Sequence, residues 1–247
     1  MSDRPSLSVR ALTSREDFDE AVQLQQEIWG FEPLELIPVR LFAVATKIGG
    51  QAFGAYDGSE MVGFCLAFPG IKPGPTSYLH SQMLGVRKDY RNAGVGRILK
   101  LRQREDGMSR GIQLMEWTFD PLEIKNAYFN IERLGCIIRR YLKNVYGTTT
   151  SHLHGGLPTD RCVPEWWFSS ARVQSILAGG KCERPVTEAR IAVPAAIESL
   201  RKTDSAAARD IQATVTEQFQ QHFGDGLAVV GFERSEDAGT YLLGRLS

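Results

Sequence analysis

The chain of 247 residues lacks several features that would assign it to a specialised class of protein. Its four cysteines are scattered without a Cys-x-x-Cys pair, which favours reduced thiols over disulfides or a zinc site. Lys plus Arg and Asp plus Glu both number 29, so the net charge indicates neither nucleic acid nor an acidic membrane surface as a partner. There is no apolar signal core near the N-terminus and no apolar run that could span a bilayer, so we expect a soluble, cytoplasmic protein.

The hydrophobic pattern predicts an α/β fold, and 43% hydrophobic residues suffice for a packed core. Ser14 and Asp17 form a capping-box pattern before the first helix, and Asp57-Gly58 marks a hairpin turn. Up to Gly147 we predict the element order β-α-α-β-β-β-α-β-α-β. The predicted strands and hairpin cover 7–12, 51–68, 77–86, 112–119 and 136–147, and the predicted helices cover 15–30, 38–50, 94–111 and 122–135.

The C-terminal part has a different pattern. Residues 148–170 are predicted by composition to form a long loop, and a loop of that length in a compact domain usually has a functional reason. A strand at 189–194, a helix at 205–224 and a hairpin at 227–246 are predicted after it. We therefore expect one domain with a core at 1–147 and, at 148–247, the loop and an extension packed on that core. His152 and His154 in the loop, without a third ligand, do not predict a metal site.

The stretch SQMLGVRKDYRNAGVGRILK (Ser81–Lys100) holds the most informative motif. It predicts a strand that ends at Val86, a polar turn, and a helix that starts near Gly94 and Gly96. Amides at a helix N-terminus and the helix dipole attract anions, and glycines let ligand oxygens approach the backbone, so this turn predicts a pyrophosphate cradle. It is neither a GxGxxG motif nor a Walker loop. Four side chains add positive charge nearby: Arg87, Lys88, Arg91 and Arg97.

The segment RNAGVG resembles the [QR]-x-x-G-x-[GA] motif of the GNAT superfamily of CoA-dependent N-acyltransferases, and it has the family's place between the fourth strand and the third helix. The resemblance implies a mixed, twisted central sheet flanked by helices, here with a C-terminal strand-helix-hairpin extension. SYLHSQMLGV, TFDPLEIKNAYFNIERLG and GLPTDR…EWW resemble a poorly characterised bacterial branch of predicted GNAT enzymes, some thought to be N-succinyltransferases.

That resemblance implies an N-acyltransferase that moves an acetyl or succinyl group from acetyl-CoA or succinyl-CoA to the amine of a small molecule, such as an amino acid. From the charge, the hydropathy and the lack of a third metal ligand we expect no nucleic acid, no membrane partner and no metal; a homodimer is compatible with the sequence. The backbones of Leu84 and Val86 would pair with the pantetheine arm of CoA, and the Val86 amide would stabilise the oxyanion. The turn would hold the pyrophosphate through Arg91, Asn92, Ala93, Gly94, Val95, Gly96 and Arg97.

Two asparagines on the fourth helix, Asn126 and Asn130, are candidates for bonding the CoA arm. Asparagine is a poor helix former, so two within five residues need a reason. Helix caps or surface polar groups are the alternative for both. The position where many family members carry an acidic tyrosine holds Ile131, and Tyr128, three residues earlier, is a candidate replacement. Without an acid, the thiolate would leave unprotonated.

His80 lies eleven residues before Arg91, at an offset where several superfamily members carry a Glu or His base. Period-two alternation predicts that residues 80, 82, 84 and 86 share one strand face, and an imidazole with a pKa near 6.5 is suited to accept a proton. A hydrogen-bonded core histidine is the alternative. Glu116 on the neighbouring strand is a second candidate base, and an ordinary outward-facing carboxylate is its alternative.

Arg161 follows Asp160 in the predicted long loop. Arginine binds carboxylates through two parallel hydrogen bonds, so Arg161 is a candidate for holding an amino-acid or succinyl carboxylate. An Asp–Arg pair that braces the loop is the alternative. The missing tyrosine also leaves a second function open, a CoA-binding sensor or structural protein with a catalytically weak site.

Overall fold

The computed structural model describes residues 7–74, 76–147 and 156–246. The chain divides into two compact units, and the boundary falls between Met115 and Glu116. Each unit contains hydrogen-bonded β-strands with helices packed against them, so the predicted α/β class is confirmed. The predicted division between a core at 1–147 and an extension at 148–247 stays a prediction.

The first unit contains the elements that were predicted for it, in the predicted order. Its strands are β1 (Leu7–Ala11), β2 (Gln51–Asp57), β3 (Glu60–Lys72), β4 (Thr76–Val86) and β5 (Leu114–Glu116), which crosses the boundary, and its helices are α1 (Arg15–Trp29), α2 (Val39–Lys47) and α3 (Val95–Ser109). The strands lie in the order β1-β2-β3-β4-β5, and β1 to β4 pair antiparallel with their neighbours. The predicted end of the hairpin at residue 68 is wrong, because β3 continues to Lys72.

The predicted capping box at the start of α1 is confirmed. The Ser14 hydroxyl accepts a hydrogen bond from the Asp17 amide at 3.1 Å, and the Asp17 carboxylate accepts one from the Ser14 amide at 3.2 Å. The same carboxylate accepts a hydrogen bond from Arg10 of β1 at 2.7 Å. The helix ends at Gly30, whose φ of 63° fits the left-handed cap that glycine favours. One carboxylate therefore joins the first strand to the first helix.

The sheet of the first unit has an apolar cluster on each face. Phe64 and Leu66 of β3 pack in the cluster that contains Phe18 of α1 and Phe42 of α2. Cys65 of the same strand packs in the opposite cluster, with residues of α3. This alternation along β3 is the expected pleat of a strand that is covered on both faces. A side chain of a neighbouring strand that packs in one of these two clusters therefore faces the helices of that cluster.

The second unit follows the prediction only in part. Its strands are β6 (Ile137–Leu142), β7 (Arg161–Trp167), β8 (Ala189–Pro194), β9 (Ala228–Arg234) and β10 (Ala238–Gly244), in the order β7-β6-β9-β10-β8. Its helices are α4 (Ile124–Tyr128), which continues as a π-helical turn at Phe129–Arg133, α5 (Ala171–Leu177), α6 (Ile197–Thr203) and α7 (Ser205–Gly224). The predicted C-terminal strand, helix and hairpin are therefore confirmed.

Three predictions, two for this unit and one for β5, are wrong in detail. The last part of the predicted loop at 148–170 is strand β7, whose seven residues are all buried except Trp167. The helix predicted at 122–135 is α only at Ile124–Tyr128, and the strand predicted at 112–119 is regular only at Leu114–Glu116. No element was predicted where α5 and α6 lie. His152 and His154 lie outside the described residues.

Candidate functional site

The turn between β4 and α3 has the backbone expected of an anion cradle. Gly94 caps α3 with a φ of 88°, a conformation that side-chain-bearing residues rarely adopt. A Cβ atom built on Gly94 would meet no other atom within 4 Å, so the space beside the glycine is open. Val95 and Gly96 open the helix, and the first amides of an α-helix have no acceptor within it. These amides and the positive end of the helix dipole are suited to an anion.

The predicted cradle residues differ in what they can offer. Residues 91–94 are exposed, and Gly96 and Arg97 are half-buried. Val95 is only 1% exposed and packs in the apolar cluster beneath α3, so it can offer a ligand its amide but not its side chain. Asn92 has a positive φ of 66°, the second left-handed residue of the turn. Turns in which right-handed and left-handed residues follow one another can direct backbone amides towards one concave side, which favours anion binding.

Arg87 does not add free charge to this turn, so that part of the prediction is wrong. Its Nε donates to Glu27 at 2.8 Å, and its Nη1 pairs with Glu60. The hydrogen bond to Glu27 is the main reason why the pKa of the Arg87 guanidinium is raised. Arg91 lies on the exposed side of the turn, where its Nε donates to the Val86 carbonyl at 3.2 Å. Its position is thereby linked to the end of β4.

At the end of β4, two backbone amides point away from the neighbouring strand β3. The Arg87 amide donates to the Val62 carbonyl of β3 at 2.9 Å, so this amide points towards β3. Backbone groups alternate in direction along an antiparallel strand, so the amides of Val86 and Leu84 point away from β3. This is the orientation that an extended ligand chain needs to add alongside β4 through its own polar groups.

Strand β4 contains a bulge at Gln82. In its pairing with β3, Met83 lies opposite Leu66 and Ser81 lies opposite Ala67, so Gln82 has no partner of its own. A bulge of this kind inserts one residue into the strand and shifts the alternation of side chains on one side of it by one position. Residues before Gln82 therefore cannot be assigned to a face by counting back in steps of two from Val86.

The bulge changes the predicted position of His80. Ser81 accepts a hydrogen bond from Lys100 of α3 at 2.7 Å, so Ser81 faces α3. Leu84 and Val86 pack in the apolar cluster on that same side. His80 is half-buried and adjoins Ser81, so its side chain lies on the opposite face, the side of α1 and α2. The prediction that residues 80, 82, 84 and 86 share one face is therefore wrong.

Glu116, the second candidate base, is not the outward-facing carboxylate that the alternative described. It is 3% exposed, and its Oε1 forms an ion pair with the Arg140 Nη2 of β6 at 2.7 Å. Arg139, the residue before Arg140 in β6, forms an ion pair with the buried Glu165 of β7. Two buried carboxylates are thus each bonded to a partly exposed arginine of the second unit.

The residues of α4 lie near one another but differ in exposure. Asn130 is 1% exposed and its amide nitrogen donates to the Asn126 side-chain oxygen at 3.3 Å, while Asn126 itself is exposed. The guanidinium of Arg234 lies 4.3 Å from the ring centre of Tyr128, which is half-buried. Ile131 is fully buried in the core of the second unit. The π-helical turn begins directly after Tyr128, and such turns are frequent at functional sites.

Arg161 begins strand β7 and does not lie in a long loop, which corrects the prediction. It is 7% exposed, its Nη1 donates to the Asp160 carbonyl at 2.9 Å, and its guanidinium lies 5.3 Å from the ring centre of Tyr146. The Asp160 carboxylate accepts hydrogen bonds from Tyr141 and Thr216, at 2.9 and 2.7 Å. Burial lowers the pKa of the Arg161 guanidinium, against the attraction of Asp120. These contacts brace the start of β7, and the predicted substrate role of Arg161 stays a prediction.

The chain is similar in structure to acetyltransferases of known fold. It matches the ribosomal-protein-S18-alanine N-acetyltransferase of Escherichia coli with a TM-score of 0.53 and 18% identity, over 67% of this chain and 96% of that one. It matches Arabidopsis thaliana NAA60 in complex with acetyl-CoA with a TM-score of 0.55 and 15% identity, over 67% and 100%. An acetyltransferase of the GNAT family from Streptococcus pneumoniae matches with a TM-score of 0.50 and 14% identity, over 65% and 98%. No protein-family model and no curated protein matches the sequence.

The fold is that of the GNAT acetyltransferases. The predicted GNAT-like architecture is therefore confirmed. About a third of the chain extends beyond the matched length, since the matches cover 65–67% of it.

A buried polar group beneath strand β4 of this GNAT fold was not predicted from the sequence. Lys100 is 3% exposed, and the Ser81 hydroxyl that it bonds also donates to the Gln103 side chain at 3.3 Å. The Gln103 carbonyl accepts a hydrogen bond from Gln51 of β2 at 2.8 Å. The signal that could have found Lys100 is its place beside Leu99 on the buried face of α3, where a lysine is unusual.

The described parts of the GNAT fold hold no group of three or more His, Cys, Asp and Glu side chains that could bind a metal ion. Within the same ranges, every helix is too short or too polar to cross a bilayer.

Proposed function

We propose that this protein is an acyl-CoA-dependent N-acyltransferase. One observation carries the proposal: the Gly94 turn at the start of α3 offers open space and unpaired helix amides beside two β4 amides that point away from β3. A pyrophosphate suits the first and an extended amide-bearing arm suits the second, and CoA has both. The GNAT fold supports this interpretation, since acetyl-CoA or CoA is named in the structures of neighbours such as NAA60.

In this proposal the turn at residues 91–97 holds the pyrophosphate, mostly through backbone amides, and Leu84 and Val86 hold the pantetheine arm. The Val86 amide also stabilises the negative charge that develops on the thioester oxygen during attack by the amine. Asn126 and Asn130 contribute hydrogen bonds to the CoA arm. CoA supplies the activated acyl group, and the protein positions it and removes a proton from the acceptor.

His80 is the proposed general base. His80 lies on the face of β4 that α1 and α2 flank. Lys100 and its hydrogen-bond partner Ser81 lie on the opposite face, which α3 covers, so the imidazole is not part of that buried group. Glu116 is the less favourable base, because its carboxylate is already engaged in an ion pair with Arg140. Tyr128 is the proposed acid for the leaving thiolate, and the Arg234 guanidinium packs over its ring.

The proposed acceptor is the amine of a small molecule, with an amino acid as the leading class, and the proposed donor is acetyl-CoA or succinyl-CoA. Arg161 is the proposed partner of an acceptor or succinyl carboxylate. Because Arg161 is buried, the substrate carboxylate would have to reach it inside the protein. The E. coli neighbour is named for an alanine of a ribosomal protein, so a protein N-terminus is the acceptor that a test must include as a competitor.

Thiol release tests the proposal. The protein is incubated with acetyl-CoA or succinyl-CoA and a panel of amino acids, other amines and N-terminal peptides, and free CoA is measured with DTNB. The proposal predicts amine-dependent release with at least one donor and one small amine. Release that occurs only with peptides would contradict the small-molecule acceptor, and the absence of amine-dependent release would contradict the enzyme.

A second candidate function is a CoA-binding sensor or structural protein. The observation that favours it is Ile131, a fully buried apolar side chain at the position where the family resemblance places the acidic tyrosine. This alternative predicts calorimetric binding of CoA esters without any amine-dependent turnover. The same thiol-release panel, run beside a CoA titration, separates the two functions.

A further inference from the structure

The second unit contains a basic cavity that the proposed acyl transfer does not use. Its volume is about 420 Å³, within the range of pockets that hold small molecules. The charged and sulfur-containing residues of its lining come from the π-helical turn, from α5 and from the segment that follows α5: Glu132, Arg172, Lys181, Cys182 and Arg184. All of them belong to one compact unit, so the cavity depends on this unit alone.

The one carboxylate of the lining is already bonded through both oxygens. Glu132 Oε1 accepts the Phe232 amide of β9 at 2.8 Å, and its Oε2 forms an ion pair with Arg184 at 2.7 Å. The Arg184 side chain packs over Gly231 of β9, where an added Cβ would meet its Nη1 at 3.2 Å. Glu132 and Arg184 therefore neutralise each other at one wall.

Arg172 supplies a cation of the lining that lies outside the Glu132–Arg184 ion pair. Its Nε donates to the Gly135 carbonyl at 3.1 Å and its Nη2 to the Ile131 carbonyl at 3.3 Å, so uncharged acceptors hold it in place. Among the described residues it forms no ion pair, and burial lowers the pKa of its guanidinium while Glu132 opposes that shift. An arginine remains charged under these conditions, so the cavity has one fixed cation in addition to the Glu132–Arg184 pair.

Lys181 adds a second cation. It is exposed, and its ammonium forms no ion pair with any residue of the described ranges, while its backbone carbonyl accepts the Ser175 hydroxyl at 3.2 Å. Once Glu132 and Arg184 are counted as a pair, the lining carries two positive charges, those of Arg172 and Lys181. A planar guanidinium together with a flexible ammonium is a combination that proteins use to bind phosphate and carboxylate groups.

We propose that this cavity is a binding site for a small dianion, a phosphate monoester or a short dicarboxylate, held by Arg172 and Lys181 beside Cys182. Two negative charges would balance the two surplus cations of the lining, and the cavity volume exceeds that of the charged group alone. The residues of this site belong to the second unit and those of the Gly94 turn to the first, and the site does not depend on the proposed acyl transfer.

The test uses the full chain with inorganic phosphate, glycerol phosphate and succinate as separate calorimetric titrants, and acetate as a monoanion control. The proposal predicts saturable one-to-one binding of at least one dianion, with a Kd of roughly 1 mM or tighter, and weaker binding of acetate. Phosphate esters binding more tightly than succinate identify the first class, and the reverse order identifies the second. No saturable binding of any dianion would overturn the proposal.

Two variants locate the binding. Lys181→Gln should weaken the dianion about tenfold, because it removes one charge-assisted bond without disturbing a partner. Lys47→Gln, at the exposed end of α2 in the other unit, makes the same charge change and should leave the affinity unchanged. Equal weakening in both variants, or none in Lys181→Gln, contradicts the site.

Cys182 supplies an independent readout, because it is one of the residues that line the cavity. The bound dianion should slow the reaction of Cys182 with DTNB in the wild type and in Gly94→Val. If the protection is lost in Gly94→Val, the anion binds at the α3 turn and the proposal is overturned. Loss of CoA binding in the same variant bears on the acyltransferase proposal alone.

Discussion

Ser81 and Leu84 lie on the same face of β4, although they are three residues apart. A regular strand would place them on opposite faces, and the extra residue at Gln82 accounts for the difference. The consequence is that His80 is turned away from α3, towards the face that α1 and α2 flank. The bulge therefore decides which side of the sheet receives the proposed base.

Replacing His80 by Ala should lower kcat roughly a hundredfold or more, because a positioned general base contributes about that factor. The affinity for CoA should stay close to that of the wild type, because the proposed CoA contacts come from other residues. The pH dependence of kcat/KM should lose its limb near neutrality. Steady-state kinetics from pH 6 to 9 make the measurement, and near-normal turnover would assign the base to Glu116 or to water.

If Arg161 holds a substrate carboxylate, Arg161→Ala should raise KM for the carboxylated substrate roughly tenfold to a hundredfold and leave KM for the other substrate unchanged. Arg161→Lys should restore only part of the lost affinity, since a lysine ammonium cannot form the two parallel hydrogen bonds that a guanidinium forms with a carboxylate. Both variants should also melt at lower temperature, because Arg161 is buried beside Asp160. A loss of stability in which both KM values change together would assign Arg161 a purely structural role.

Asp17→Asn should lower the free energy of unfolding at pH 7 by about 1–2 kcal/mol, the usual cost of a lost helix cap. The hydrogen bond from Arg10, with those from the Thr13 and Ser14 amides, holds the pKa of Asp17 well below its usual range. A depressed pKa in the folded state gives stability that is full above the unfolded pKa, near 4, and is lost as the pH falls. Urea titrations should therefore show wild type and variant converging between pH 5 and pH 2, and a constant difference would contradict this account.

Cys182 should be the one cysteine that reacts readily with DTNB in the native protein. Cys65, Cys136 and Cys162 are buried, and burial raises the pKa of the Cys65 thiol to about 12, which suppresses its thiolate. Cys182 is half-buried. One thiol should therefore be labelled quickly and the other three only on unfolding, and Cys182→Ser should abolish the fast phase. A second fast thiol would contradict the packing described for the buried three.

Local signals predicted some elements well. The capping box at Ser14 is visible as a pattern of four residues, and α7 begins at Ser205 and ends at Gly224 as predicted, because its apolar positions follow one helical period. The RNAGVG turn was also placed correctly between β4 and α3, since glycines and basic residues mark it without reference to the rest of the fold.

Tertiary context decided the elements that the sequence did not predict. Strand β7 contains Pro164 and is buried on both faces, so it shows no alternation and carries a residue that argues against a strand. Helix α5 is only seven residues long, and the Ser170 hydroxyl that caps it through the Val173 amide was the available signal. The face of His80 depends on a bulge that is defined by pairing with β3, which no count along β4 reveals.

The affinity of CoA for two glycine variants tests the central claim most directly. Gly94 and Gly74 share a φ of 88° and open surroundings, but Gly94 starts α3 and Gly74 lies in the β3–β4 turn at the other end of β4. Valine at either position should cost about 1–2 kcal/mol of stability through left-handed strain. In calorimetry at a temperature where both variants are folded, Gly94→Val should lose CoA binding and Gly74→Val should retain it. Equal affinity in the two variants would contradict CoA binding at the Gly94 turn.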